Sequence, residues 1–121
     1  MSIERIRIAM AALLLSVLPL AAGAHTHLDH AEPAADAVLE SAPKQVHLSF
    51  SSRIEARFSR IEVYAADGTQ VDQRNYTASD NKRELTVDLA EDLPAGEYQV
   101  QWNVVARDGH RVRGDYKFNV K

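Results

Sequence analysis

The chain has 121 residues, of which 45% are hydrophobic and 26% are charged, and its formal net charge is −3. This length and composition are typical of one soluble domain. A weakly acidic chain without a cluster of Lys and Arg residues lacks the electrostatic footprint of nucleic-acid binding. The sequence contains no cysteine, so no disulfide bond stabilises the domain, although an oxidising compartment would permit one.

The first 24 residues have the three regions of a secretory signal in order. Arg5 and Arg7 precede an apolar run over residues 8–20, and the small residues Ala22-Gly23-Ala24 follow as a cleavage site. The apolar run is too short to cross about 30 Å of hydrocarbon, so a membrane anchor is disfavoured. We predict that residues 1–24 are a signal peptide removed on export, and that residues 25–121 form the mature domain.

Apolar and polar residues alternate along most of the chain after residue 44, a pattern that predicts β-strands. The predicted strands cover residues 46–50, 58–64, 71–76, 85–89, 98–104 and 112–120, with a further strand near residues 26–30. About seven short strands joined by turns predict an all-β, immunoglobulin-like Greek-key sandwich of two sheets. Trp102 is expected to fill the space between the sheets. The Ala-rich residues 31–42, interrupted by Pro33, are expected to form a loop with at most one helical turn.

Histidines carry the chemistry of this sequence, and three of the five lie in residues 25–30. Cleavage after Ala24 makes His25 the N-terminal residue, which then has an α-amine and an imidazole. Their reference pKa values are about 8 and about 6.5, so both nitrogens deprotonate close to neutral pH. The amine and Nδ1 of one residue can close a chelate ring around a single metal ion. The alternative is that a histidine follows the cleavage site by chance.

The tripeptide Asp108-Gly109-His110 supplies a second pair of donors between two predicted strands. Residues two apart in a strand or turn project to the same side, so one oxygen and one nitrogen can reach a common point. Gly109 lets the backbone between them bend without a side chain in the way. The alternative is an ordinary Asp-Gly hairpin turn followed by a solvated histidine.

An amine, two imidazoles and a carboxylate together suit one tetragonal Cu(II) ion, which also has the highest affinity among the divalent ions for such sites. Zinc is the main competitor, because it accepts the same donors in a tetrahedral arrangement. Cu(I) would require sulfur ligands. Met1 and Met10 leave with the signal, so the mature domain has none.

The sequence resembles the periplasmic copper-binding CopC family and its YobA-type relatives, over nearly all of residues 25–121. The motifs that carry the resemblance are His25-Thr26-His27-Leu28, Pro33-Ala34, Ala42-Pro43, Leu48-Ser49-Phe50-Ser51, Leu93-Pro94-Ala95-Gly96-Glu97-Tyr98, Trp102 with Val104-Val105, Asp108-Gly109-His110 and Tyr116-Lys117-Phe118-Asn119-Val120-Lys121. The resemblance implies an immunoglobulin-like sandwich, a periplasmic location and one Cu(II) held by His25, Asp108 and His110.

The sequence departs from the family pattern at two points. Some members carry a Met-rich Cu(I) loop, and a mature domain without methionine should lack that second site. Many members have a Glu directly after the Phe-Ser pair that can approach the copper, and this chain has Ser52 there, so we predict no carboxylate ligand from that position.

The role of the other histidines depends on how the N-terminal residues are held. In a flexible peptide, a free amine, two backbone amides and His27 would form a square-planar Cu(II) chelate that ignores Asp108 and His110. Pairing of the N-terminal residues as a strand would occupy those amides and disfavour this chelate. His30 is expected to be exposed, with a role as a peripheral ligand as the alternative, and His47 is expected to be solvated.

Three classes of function fit the sequence. The first is a monomeric copper carrier or buffer, without catalytic activity, whose partner is an inner-membrane copper transporter or another periplasmic copper protein. The second is a copper monooxygenase-like enzyme, which also uses an N-terminal histidine and would produce hydrogen peroxide when copper-loaded and reduced. The third is a structural sandwich with incidental histidines, which would bind no copper tightly.

Overall fold

The structure, a computed structural model, describes residues 25–121, and its regular secondary structure is almost entirely β-strand. Within this part of the chain, no helix is long and apolar enough to cross a membrane. A single turn of 3-10 helix spans Ala56–Phe58. The strands are β1 (Leu28–Glu32), β2 (Val38–Leu39), β3 (Gln45–Phe50), β4 (Arg60–Ala65), β5 (Asp72–Ala78), β6 (Glu84–Leu89), β7 (Gly96–Val105) and β8 (Arg111–Val120).

The strands form two four-stranded sheets that pack as a sandwich. The first sheet has the order β1-β3-β6-β5 and the second the order β2-β8-β7-β4. Neighbours pair antiparallel, except that the two-residue strand β2 runs parallel to β8. This architecture confirms the predicted all-β, immunoglobulin-like sandwich. The predicted signal peptide, residues 1–24, lies outside the described residues, so it and its boundary with the mature domain stay predictions.

The core consists of the inward-facing residues that alternate along the central strands. Val46, Leu48 and Phe50 of β3 are buried, as are Leu85 and Val87 of β6. The facing sheet contributes alternate residues of β7 and the end of β8, namely Tyr98, Val100, Val104, Phe118 and Val120. Burial of each such side chain stabilises the fold by about 1.5–3 kcal/mol. Because successive side chains of a strand point to opposite faces and only one face is buried, the period-2 pattern predicted these strands correctly.

Three sequence predictions need correction at the edges of the sheets. The N-terminal strand begins at Leu28, where the first residue pairs with Phe50, rather than near residue 26. Phe58 is not part of β4, because it ends the 3-10 turn and its side chain is exposed. Residues 31–42 are not all loop, since they include the end of β1 and all of β2. β1 and β2 are fixed by pairing with distant strands, which their local pattern does not encode, whereas the 3-10 turn that ends at Phe58 is held by local hydrogen bonds.

Trp102 lies on the inner face of β7, as predicted, but it is only half-buried. Its ring covers Gly114, the residue directly opposite on β8, and it packs against Tyr116 with ring centroids 6.1 Å apart. The Nε1 of Trp102 and the hydroxyl of Tyr116 are buried without a hydrogen-bond partner. Burial raises the pKa of Tyr116, so its hydroxyl stays protonated. Because the indole of Trp102 covers Gly114, a residue without a side chain is required at this position.

We expect Gly114→Ala to destabilise the domain, although alanine usually stabilises a strand by about 0.5–1 kcal/mol over glycine. The added Cβ would overlap the indole, at 2.6 Å from Cε2 of Trp102 and closer still to Cζ2. Overpacking of this kind costs about 1–3 kcal/mol, which outweighs the gain in strand propensity. Urea unfolding followed by the fluorescence of Trp102 would measure the change.

The matched control places Gly114→Ala in a Trp102→Leu background, with unfolding followed by circular dichroism. The smaller side chain should remove most of the cost of the added methyl group, which a double-mutant cycle would show as coupling. An equal cost in both backgrounds would mean that the indole does not determine the need for glycine.

Candidate metal centre

The N-terminal segment is held against the loop that follows β3. The backbone N–H of His27 donates to Oγ of Ser51 at 2.9 Å, and the N–H of Ser51 donates to the carbonyl of His27 at 2.8 Å. The hydroxyls of Thr26, one residue before His27, and Ser52, one residue after Ser51, are hydrogen-bonded to each other. The chain just after His25 is therefore fixed by reciprocal hydrogen bonds and does not extend freely into solvent.

The same loop also contacts the end of β7. The N–H of Arg107 donates to the carbonyl of Arg53 at 3.1 Å, and Ile54 forms an isolated β-bridge with Ala106. The N–H of Glu55 donates to the carbonyl of Val105 at 2.8 Å. Because residues 51–55 contact the N-terminal segment on one side and β7 on the other, His25 and the turn between β7 and β8 lie at the same end of the sandwich.

The turn between β7 and β8 contains the predicted Asp108-Gly109-His110 tripeptide. The N–H of Gly109 donates to the carbonyl of Ala106 at 2.9 Å, and the N–H of Ala106 donates to the carbonyl of His110 at 2.8 Å. Gly109 has φ of +88°, a conformation that a side chain strongly disfavours. The turn geometry, rather than chance, therefore explains glycine between the two candidate ligands.

Asp108 and His110 form a pair on this turn. Oδ2 of Asp108 lies 2.8 Å from Nδ1 of His110, and Oδ1 accepts the backbone N–H of His110 at 3.0 Å. The backbone N–H, followed by the imidazole, holds the pKa of the Asp108 carboxyl below its usual value, so the carboxylate is ionised at neutral pH. Both side chains are exposed, by 61% for Asp108 and 77% for His110, which makes the pair accessible to an ion.

His25 is exposed, and its carbonyl lies 3.2 Å from Nδ1 of His27. Nε2 of His27 in turn lies 2.9 Å from Oδ1 of Asp29. Among residues 25–121, no three or more His, Asp or Glu side chains are gathered as a metal-binding group. The structure therefore brings Asp108 and His110 into contact and places His25 at the same end, but it does not assemble the three into one site. The predicted α-amine donor arises only on cleavage before His25.

The two remaining histidines lie on the outer face of the first sheet. His30 is exposed, as predicted, with Nε2 3.2 Å from Oε1 of Glu32. His47 is not simply solvated, because Nδ1 lies 2.8 Å from Oγ1 of Thr86 and Nε2 lies 3.1 Å from Oε1 of Glu84. The imidazole holds the pKa of Glu84 below its usual value. These partners come from β6, so only the pairing of β3 with β6 could have revealed them.

Residues 28–121 match the family model described as CopC domain. The chain belongs to the CopC family. It is 36% identical over 120 residues to protein YobA of Escherichia coli K12, covering 96% of this chain and 94% of YobA. It is 30% identical over 105 residues to copper resistance protein C of Escherichia coli, covering 81% of this chain and 82% of that protein. The resemblance predicted from the sequence motifs is confirmed.

Two solved structures of CopC proteins have the same fold. CopC from Methylosinus trichosporium OB3b is 36% identical, with a TM-score of 0.75 over 80% of this chain and 94% of that one. PcoC, a methionine-rich copper resistance protein from Escherichia coli, is 29% identical, with a TM-score of 0.71 over 81% of this chain and all of its own. These relatives are copper proteins, so the chain belongs to a family of copper-related proteins.

We expect Ser59→Ala to loosen the loop that joins the two parts of the candidate centre. The Ser59 hydroxyl accepts the N–H of Val105 at 3.0 Å and donates to the carbonyl of Glu55 at 2.8 Å. Because Ser59 is only 5% exposed, removing its hydroxyl leaves buried groups unpaired, at a cost of about 1–3 kcal/mol. Chemical denaturation would measure this loss against Ser41→Ala, an exposed control that should change stability by less than about 0.5 kcal/mol. Equal effects of the two changes would contradict the role of Ser59.

Proposed function

We propose that this protein is an exported Cu(II) carrier or buffer that binds one copper ion and catalyses no reaction. The proposed ligands are the α-amine and imidazole of His25 together with Asp108 and His110. The observation that carries this proposal is the Asp108–His110 pair, on a turn that residues 51–55 connect to the N-terminal segment. The proposed location is the periplasm, which export by way of residues 1–24 would give.

The chemistry of the donors supports copper as the ion. Three nitrogens and one carboxylate oxygen favour tetragonal Cu(II), and residues 25–121 offer no sulfur for Cu(I). The lowered pKa of Asp108 keeps the carboxylate ready to bind without losing a proton. Nδ1 of His110 faces Asp108, so Nε2 is the nitrogen that remains for the metal. The two ring nitrogens point in diverging directions, so the Asp108–Nδ1 contact belongs to the metal-free protein and has to open for Asp108 and His110 to bind the same ion.

The hydrogen bonds of the N-terminal segment support His25 rather than His27 as the N-terminal ligand. The rival chelate needs the deprotonated backbone nitrogen of His27, which here donates to Ser51. Forming that chelate would break the hydrogen bond from this nitrogen to Ser51 Oγ. The His25 chelate uses only the amine and its own imidazole, and therefore leaves this pairing intact.

The proposed partner is an inner-membrane copper transporter or another periplasmic copper protein. Copper transport protein CutJ of Bacillus subtilis is 36% identical to this chain over 109 residues, which are 89% of this chain but 20% of CutJ. In that protein a segment similar to this chain is covalently part of a transport protein. This arrangement supports delivery of the ion to a transporter. Nothing in the composition favours a nucleic-acid partner, and the proposed carrier acts as a monomer.

Adding one residue before His25 tests the proposed chelate. The added residue moves the amine away from the imidazole, so the affinity for Cu(II) should fall by more than about tenfold, or about 1.4 kcal/mol of binding free energy. Competition titration with a chelator of known affinity measures the change, and electron paramagnetic resonance reports the nitrogen ligands. The matched control adds the same residue after Lys121 and should bind copper like the unaltered protein. Unchanged affinity in the extended protein would exclude the His25 amine.

Substitution of single histidines tests the rest of the ligand set. His110→Ala removes a proposed ligand and should weaken Cu(II) binding by at least about tenfold, whereas His27→Ala should change it by no more than about twofold. Asp108→Asn keeps an oxygen acceptor for the His110 N–H but removes the negative charge, so it should give an intermediate loss. A larger effect of His27→Ala than of His110→Ala would support the rival chelate instead.

A further inference from the structure

Two adjoining surface concavities beside the candidate centre are lined by basic side chains. The two concavities share Ala56 and Arg57, and Glu55 is the one carboxylate among the residues that line them. Half of the 14 Lys and Arg residues of the whole chain line these concavities. They are Arg53, Arg57, Arg60, Lys82, Arg107, Arg111 and Arg113, which we call the basic groove. This concentration is opposite in sign to the net charge of the chain.

The register of the second sheet explains part of this concentration. Arg60 of β4, Asn103 of β7 and Arg113 of β8 lie side by side as one cross-strand row. The next row, further from the turn, contains Glu62, Gln101 and Asp115 in the same order. Charges of opposite sign are thus sorted into separate rows, and the basic row lies nearer to the Asp108–His110 turn.

Most of the positive charge in the basic groove is not neutralised by neighbouring carboxylates. Arg60 forms an ion pair with Glu62 at 3.0 Å. Arg111 donates to the neutral side chain of Asn103 at 2.6 Å. Within residues 25–121, neither Arg57, Arg111 nor Arg113 makes an ion pair with a carboxylate. Their guanidinium groups therefore remain available to carboxylates of another molecule.

An exposed aromatic ring lies in the same groove. Phe58 is 61% exposed, and the guanidinium of Arg57 lies 5.7 Å from the centre of its ring. A large apolar side chain at such exposure loses the free energy that its burial would provide. Aromatic and arginine side chains together are the residues most enriched at the energetic centres of protein interfaces.

We propose that the basic groove is a docking site for an acidic polypeptide segment of the protein that exchanges copper with this chain. Arginine forks bind carboxylates in pairs of parallel hydrogen bonds, and clusters of arginines recognise acidic motifs. A concave groove suits a polypeptide segment, whereas a membrane is contacted best by a part of the protein surface that protrudes. The inference rests on the proposed function only in naming the partner as a protein that exchanges copper; the binding of an acidic segment does not depend on it.

The basic groove lies next to the candidate ligands, so a partner that docks there is close to the proposed copper site. Arg107 precedes Asp108 and Arg111 follows His110, so a segment bound to these arginines lies beside the proposed copper ligands. A basic surface on an acidic protein also orients the approach of an acidic partner, and this steering weakens as salt concentration rises. Docking and copper exchange would therefore occur at the same end of the sandwich.

A short peptide of alternating Asp and Glu residues around one central Trp is the probe that tests the proposal. It is titrated into the isotope-labelled, copper-free exported protein, and backbone chemical shifts identify the contacted residues. The probe should shift the signals of Arg57, Phe58, Arg111 and Arg113, and its affinity should fall as salt is added. A peptide with Asn and Gln in place of the acidic residues serves as the uncharged control and should not bind.

Two double variants with the same change in net charge locate the binding. Arg111→Gln with Arg113→Gln should weaken peptide binding by about tenfold or more. Lys44→Gln with Lys117→Gln removes two exposed lysines outside the basic groove and should leave peptide binding unchanged. Circular dichroism of both variants confirms that they are folded.

Equal loss in both double variants, or shifts confined to residues outside the basic groove, would overturn the proposal. The proposal would also be overturned if the protein bound vesicles of phosphatidylethanolamine and phosphatidylglycerol more tightly than the peptide, and if Arg111→Gln with Arg113→Gln abolished that vesicle binding. The partner would then be a lipid surface. Cu(II) affinity is measured on the same samples. If the protein bound the peptide but no copper, the proposed function would be refuted and the docking site would still be supported.

Discussion

The antiparallel pairing of β7 with β8 is the constraint on which the rest of this structure depends. Ten residue pairs join the two strands without a break, from Gly96–Val120 to Val105–Arg111. The inner face of this ladder supplies much of the core of one sheet, and its outer face carries the cross-strand rows of charge. The tight turn that closes it presents Asp108 and His110. One ladder therefore connects the stability of the domain with both of its proposed functional surfaces.

A second connection, the loop over residues 51–55, is what relates the turn to the start of the described chain. Through it, the segment that follows His25 and the turn that holds His110 meet at one end of the sandwich, although 85 positions separate these residues along the sequence. Ordering the N-terminal segment in this way reduces the conformational entropy that copper binding would otherwise have to overcome. The hydrogen bonds of Thr26, His27 and Ser51 thus contribute to the proposed site without belonging to its ligands.

Sequence reasoning predicted the central strands well and the edges poorly. The strands around Val46, Val87 and Val100 alternate because one face is buried, and that period is visible in the sequence alone. Asp108 and His110 were also predictable as a pair, since they lie two residues apart on a turn marked by Gly109. His47 was wrongly predicted to be solvated, because its partners come from a strand that lies nearly forty residues further along the chain.

The sequence by itself determined the all-β class, the family, and the local pairing of Asp108 with His110, because each depends on short-range pattern or on motifs read in order. The tertiary structure alone decided which distant residues become neighbours. Arg111 and Arg113 already lie close together along the sequence, yet only strand register and the loop after β3 add Arg57 and Arg60 to them in one groove. Antiparallel pairing brings together residues from remote segments, so surface charge is a property of the register and cannot be read from local composition.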